Sequence, residues 1–206
     1  MDDKNQKINL FTLGNCAVGK TSFIRKYVNN TLGEYYKPTI GIDYFSKIIK
    51  LETGEELILF FYDTAGQERY KSISMNIIKN TDGIFWMYDV ADQRSFDEIN
   101  GWIESIKEVK GDNFPIILIG NKCDLEKRVI SKEEGEKLAE EQGFLFMETS
   151  CKEGINIKES VQVLVHDIME KRKMKQIEGN NDVEYQISIK LSNKKKKGKR
   201  RKCCKQ

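Results

Sequence analysis

A single histidine, His166, serves the whole 206-residue chain. It falls off the apolar stripe of its helical segment and reads as a surface residue, so histidine acid–base catalysis is not expected. Long apolar runs are missing as well. No segment reaches the roughly 20 apolar residues of a bilayer-spanning helix, and Met1-Asp2-Asp3-Lys4-Asn5 has none of the marks of a secretory signal. Cytosolic synthesis and function are therefore expected. Of five cysteines, Cys203 and Cys204 are terminal, while Cys16, Cys123 and Cys151 fall in three separate loops. That distribution has no metal-ligand spacing, and in a reducing compartment it argues against a disulfide framework.

What the chain does have is apolar material for one core. Its length and its 39% hydrophobic residues suffice to bury a single α/β domain, and alternating strand and helix patterns predict a mainly parallel sheet. One antiparallel edge is expected, because Ser46 to Leu51 and Glu56 to Tyr62 flank the hairpin-like turn Glu52-Thr53-Gly54-Glu55. Helices are expected near 20–30, 72–80, 94–109, 132–142 and 156–173. The last of them carries a stripe of Val161, Leu164, Val165, Ile168 and Met169 that should pack on the sheet.

Two short segments carry most of the chemistry. Gly14-Asn15-Cys16-Ala17-Val18-Gly19-Lys20-Thr21 follows the apolar run Ile8 to Leu13 and enters a helical pattern, the strand–loop–helix context of a phosphate cradle. Gly14 and Gly19 let the backbone curl, so that N–H groups of the loop, through Cys16, Ala17 and Val18 to Ser22, point at phosphate oxygens at a helix N-terminus. Lys20 offers a point charge to the β- and γ-phosphates, and the Thr21 hydroxyl is a ligand for Mg²⁺. The second segment, Asn121-Lys122-Cys123-Asp124, follows the strand pattern Phe114 to Gly120 and should emerge at the carboxyl end of the sheet. Asp124 can accept from both N1–H and the exocyclic amine of guanine, whereas adenine would turn a lone pair toward it. A site built on such hydrogen bonds discriminates by about 10⁴-fold or more. Asn121 would bond the base and neighbouring loops, the Lys122 stem would lie along the ring, and Ser150-Cys151-Lys152 stands where a third base-contacting loop would be.

Between these segments, the strand Leu57 to Tyr62 delivers Asp63-Thr64-Ala65-Gly66-Gln67-Glu68-Arg69. Asp63 at a strand end is placed to reach Mg²⁺ through water. Gly66 lets a backbone N–H approach a γ-phosphate, and Gln67 is placed to orient an attacking water. Upstream, the Thr39 hydroxyl in Pro38-Thr39-Ile40-Gly41 completes the metal shell when a γ-phosphate is present.

The ordered set resembles the Ras superfamily of small GTPases. Ile40 to Tyr44, Asp63 to Tyr70 and Tyr88-Asp89-Val90 resemble its Rab branch over about residues 8–173, and Asn121 to Lys152 is similar to the exocytic Rab group. The resemblance implies a P-loop G domain with a mostly parallel six-stranded sheet, helices on both faces and one antiparallel edge strand. It also implies a slow intrinsic GTPase: a molecular switch in vesicle trafficking that works with an exchange factor, a GTPase-activating protein, a GDP-dissociation inhibitor and effectors. Partners would meet Thr39 to Tyr44 and Tyr62 to Ile77. Against the Rab pattern, Cys16 and Ala17 replace small residues such as Ser and Gly, Leu32 replaces an aromatic over the guanine edge, and Tyr44, Tyr62 and Ile77 stand where Phe, Trp and Tyr are typical. Leu32 predicts weaker nucleotide retention. Cys16 is either an inert small residue or an alkylation and oxidation site beside the γ-phosphate, and Ile77 is either partner-facing or core.

The G domain is expected to span 1–173 and a flexible basic tail 174–206. The tail holds eleven Lys or Arg against three Asp or Glu, a net of +8, so the body carries about −5 of the overall +3. Eight cations crowd Lys194 to Lys202, just before Cys203-Cys204-Lys205-Gln206. Beside terminal cysteines this reads as a membrane anchor and not a nucleic-acid site, because a lipid chain plus a polybasic patch gives stable residence. The general rule for a fourth-from-last cysteine predicts one farnesyl on Cys203; the Rab resemblance implies geranylgeranyl on both Cys203 and Cys204. A monomer cycling between cytosol and the cytosolic face of an endomembrane or the plasma membrane is expected. Two other classes share the fold. A nucleotide-binding scaffold without turnover is opposed by Asp63 and Gln67, and a phosphotransferase by Asn121 to Asp124 and the lack of a basic lid.

Overall fold

A computed structural model of the chain describes residues 6–31, 39, 41–51, 54–64 and 71–177. Six strands form one sheet in the order β2-β3-β1-β4-β5-β6. In chain order they are β1 (Gln6–Leu13), β2 (Ile42–Lys50), β3 (Glu56–Thr64), β4 (Gly83–Asp89), β5 (Ile116–Asn121) and β6 (Leu145–Thr149). All neighbours are parallel except β2 and β3, which pair antiparallel from Ile42 opposite Thr64 to Lys50 opposite Glu56. The expected antiparallel edge strand is therefore β2. It begins four residues earlier than the sequence pattern suggested, because pairing with β3 extends it past its apolar part.

Strands β4 and β5 are almost wholly apolar because both of their faces are covered. Every residue of β5 is buried, and in β4 every residue but Asp89. Along β4 the two faces separate by alternation. Phe85 meets Phe23 of helix α1 (Lys20–Asn29) with ring centroids 5.1 Å apart and Phe61 of β3 at 6.3 Å. Ile84, Trp86 and Tyr88 join the opposite core with Phe11, Leu118 and Ile103.

Helix α2 (Lys71–Ile78) and α5 (Lys132–Gln142) lie close to expectation. The start of α5 is fixed by a capping box: Ser131 Oγ accepts from the Glu134 N–H, and the Glu134 carboxylate accepts from the Ser131 N–H. The helix expected over 94–109 is two, α3 (Gln93–Asp97) and α4 (Asn100–Lys110). Between them the Gly101 and Trp102 N–H groups bond the carbonyls of Glu98 and Ile99, spans of three residues that tighten the turn and break the α ladder. A last helix, α6, covers 157–177. Val161, Leu164, Val165 and Ile168 of its stripe are buried, Met169 is half-buried, and His166 is exposed as expected. The chain divides into two compact units, residues 1–166 and 167–206.

One core group is left unpartnered. The Tyr88 hydroxyl is buried without a hydrogen bond. It fits only because Gly135 has no side chain, since a Cβ there would come within 2.4 Å of that oxygen. A buried unpaired hydroxyl costs about 1–3 kcal/mol. Tyr88→Phe should therefore leave stability unchanged or raise it by about 1 kcal/mol, read as the midpoint of urea unfolding. A clear loss would show that the hydroxyl has a partner in solution.

Candidate functional site

Strand order makes the site. After β1 the chain builds β2 and β3 on one side of it and then crosses to β4 on the other, so a crevice opens at the carboxyl ends of the parallel strands. Each sequence-predicted segment leaves such an end: Gly14 follows β1, Asp63 lies in the last two residues of β3, Asn121 ends β5, and Ser150 follows β6.

The cradle after β1 is shaped by its glycines. Gly14 has φ 140° and Gly19 has φ 105°, and a Cβ would lie 2.1 Å from the Met87 carbonyl oxygen and 2.3 Å from the Asn121 amide nitrogen, respectively. Neither position accepts a side chain. Ala17 takes the left-handed conformation too, at φ 65°, although it carries a Cβ. The loop closes over Lys20, whose ammonium donates to the Gly14 and Asn15 carbonyls, both at 2.7 Å. Burial lowers the Lys20 pKa to about 8, against the opposing pull of Asp63 and Cys16. It remains mostly cationic at pH 7.

Next to it lies an oxygen cluster. The Thr21 hydroxyl donates to Asp63 Oδ2 at 2.6 Å and lies 2.9 Å from the Thr39 hydroxyl, which is 3.4 Å from the same carboxylate oxygen. Asp63 is fully buried, and its other oxygen, Oδ1, has no partner. Burial pushes the Asp63 pKa up, while the Thr21 hydrogen bond and the Lys20 charge pull it down. A buried carboxylate oxygen without a donor, beside two hydroxyls, suits a hard divalent cation that prefers oxygen ligands.

The second half is built around Asn121. Its amide nitrogen donates to the Val18 carbonyl at 2.7 Å, and its amide oxygen accepts from the Thr149 hydroxyl at 3.0 Å and lies 3.5 Å from the Cys151 thiol. Asn121 thus ties the cradle to the segment at the end of β6. Asp124 is oriented by Ser150, whose hydroxyl donates to Oδ1 at 2.5 Å. Lys152 is 4.0 Å from Asp124 and exposed. Lys122 adopts φ 65° and pairs with Asp89 at 2.6 Å.

The three body cysteines differ. Cys16 is exposed, while burial raises the Cys123 thiol pKa and lifts that of Cys151 to about 12. Among the residues expected to face partners, Tyr44 is exposed and stacks edge-on with Tyr62 at 5.2 Å. Ile77 is half-buried, packed against the core, as is Tyr62.

Of the sequence candidates, Lys20, Thr21, Thr39 and Asp63 come together, as do Val18, Gly19, Asn121, Asp124, Ser150 and Cys151. Ser22 is half-buried in the first turn of α1. Leu32, Gly66, Gln67, Lys194 to Lys202, Cys203 and Cys204 lie outside the described residues. Sequence reading missed Thr149 and the role of Asp89. Each ends a strand, and the polar residue closing an apolar run was the available signal.

Comparison with known proteins adds a relationship. Residues 9–170 match the Ras family. The chain is 39% identical to Ras-related protein Rab-13 of Bos taurus over 173 residues, 84% of this chain and 85% of that protein. It is 42% identical to GTP-binding protein Rab-3D of Rattus norvegicus over 163 residues, 79% of this chain and 74% of the relative.

The left-handed Ala17 yields a direct test. An L-residue with a Cβ costs about 1–2 kcal/mol in that conformation, and glycine gives back part of this gain in the unfolded chain. Ala17→Gly should raise stability by about 1 kcal/mol, seen as a higher urea midpoint. A lower midpoint would mean that the loop is not left-handed at Ala17.

Proposed function

The chain belongs to the Rab branch of the Ras family, GTP-binding switches of vesicle trafficking that hydrolyse GTP, and on that premise we propose which of its residues bind, sense and cleave the nucleotide. The observation that carries the assignment is the contact of Thr21, Asp63 and Thr39 directly beside the buried Lys20.

In this reading the Cys16 to Thr21 backbone N–H groups and the Lys20 ammonium hold the β- and γ-phosphates. Transfer of Lys20 from the Gly14 and Asn15 carbonyls to phosphate oxygens costs little, because one set of charge-assisted hydrogen bonds replaces another. Thr21 and Thr39, with Asp63 through water, would hold Mg²⁺. An ion held by these oxygens would supply positive charge to offset the negative charge that develops on the transferring phosphate. Thr39 and Gly66 engage only while a γ-phosphate is present, so both segments are ordered in the GTP state and released after hydrolysis. Gln67 orients the water that attacks the γ-phosphorus in line as the bond to the GDP oxygen breaks. At the other end, Asp124 accepts from the guanine N1–H and amine, Ser150 holds its carboxylate, and Lys122 and the Ser150-Cys151-Lys152 loop close on the base.

The partners and anchor follow the same reading. An exchange factor, a GTPase-activating protein, a GDP-dissociation inhibitor and effectors meet Thr39 to Tyr44 and Tyr62 to Ile77, with the exposed Tyr44 as one contact. Prenyl groups on Cys203 and Cys204, supported by Lys194 to Lys202, hold a monomer on a cytosolic membrane face. No helix among the described residues is long and apolar enough to cross a membrane.

Stimulated hydrolysis tests the catalytic assignment. An activating partner adds about 10⁵-fold to the rate in enzymes of this kind. Gln67→Leu should still bind GTP and GDP but lose that stimulation, followed as single-turnover phosphate release with and without a Rab-activating protein. Stimulation equal to that of the unaltered chain would remove Gln67 from the mechanism.

A further inference from the structure

Asp89 ends β4 directly beside Asn121 of β5, with which it is in register. Nothing in the reaction requires a carboxylate there. Its side chain is nevertheless held on both oxygens: Oδ1 accepts from the Ala91 N–H at 2.9 Å, and Oδ2 pairs with the Lys122 ammonium at 2.6 Å. The backbone around it is fixed as well. The Asp89 N–H bonds the Ser95 hydroxyl at 3.0 Å, its carbonyl accepts from the Asp92 N–H at 3.0 Å, and the next N–H, of Val90, bonds the Asn121 carbonyl at 3.1 Å. The carboxylate therefore stands on a rigid strand end and turn.

Lys122 is the opposite kind of group. It sits in a left-handed backbone conformation, and its side chain is 35% exposed where that of Asp89 is 13%. A lysine stem has about 2 kcal/mol of rotamer entropy to lose when it is laid flat on a ring. An ion pair at its tip removes much of that freedom before any base arrives, which is how a binding site lowers the cost of ordering. We propose that Asp89 is a positioning residue for guanine binding: it anchors the Lys122 ammonium so that the lysine stem is already in place to cover the base. This inference rests on reading Asn121 to Asp124 as the guanine site.

A double-mutant cycle on the full-length chain tests it, with release of a fluorescent GDP analogue as the readout. Asp89→Asn is isosteric and keeps an acceptor for the Ala91 N–H while removing the charge. An ion pair of this exposure is worth up to about 1 kcal/mol, so release should accelerate about fivefold. In a Lys122→Met background the same Asp89 substitution should have no further effect, because a lost anchor matters only when there is an ammonium to hold. Asp89→Glu, which restores the charge, should recover part of the slow release. An equal acceleration in both backgrounds would make Asp89 merely structural and overturn the inference, as would wild-type release from Asp89→Asn alone. If Lys122→Met itself releases GDP at the wild-type rate, the base-covering role of Lys122 fails, and the inference fails with it.

Discussion

The carboxamide of Asn121 holds the two halves of the proposed nucleotide site in one frame. It donates to the Val18 carbonyl in the cradle and accepts from Thr149 at the end of β6, and the residue itself is fully buried. Neither end faces water, so each hydrogen bond is electrostatically strong and each would be costly to leave unmade. The cradle cannot shift relative to the base loop without breaking one of them. Gly19 belongs to the same constraint, because any side chain there would occupy the space of the Asn121 amide.

Around that frame, charge is distributed by burial. Lys20 and Asp63 are both buried, and burial alone would neutralise each: it pulls the lysine pKa down and pushes the carboxyl pKa up. Their mutual field and the hydrogen bonds from Thr21 and Thr39 oppose this. Lys20 and Asp63 thus lie within each other's field, with one Asp63 oxygen unpartnered.

Much of this was legible in the sequence because it rests on local chemistry. Apolar runs followed by Gly14, Asp63 and Asn121 marked strand ends, and strand ends of a parallel sheet face one side. The helical pattern over 132–142 placed α5, and the hairpin-like turn around Gly54 placed the antiparallel edge. Other features depend on contacts between distant residues. The pairing of Lys122 with Asp89 spans 33 positions, and no periodicity reports it. The break between α3 and α4 arises from a tightened turn inside an otherwise helical pattern. The unpartnered Tyr88 hydroxyl needs Gly135, Phe146 and Val90 around it to be seen at all. Ile77 read equally well as core or surface, and its half-buried place against the core lies between the two.

The central claim is that this frame presents Asp124 to a guanine and reads it by two donated hydrogen bonds. Competition binding with GDP and xanthosine diphosphate, on the unaltered chain and on Asp124→Asn, tests it most directly. Xanthine replaces the exocyclic amine with a carbonyl, which an asparagine amide can satisfy and a carboxylate cannot. The account predicts a strong preference for GDP in the unaltered chain and a reversal toward xanthosine diphosphate in the variant. An Asp124→Asn protein that still prefers GDP as strongly as before would contradict it.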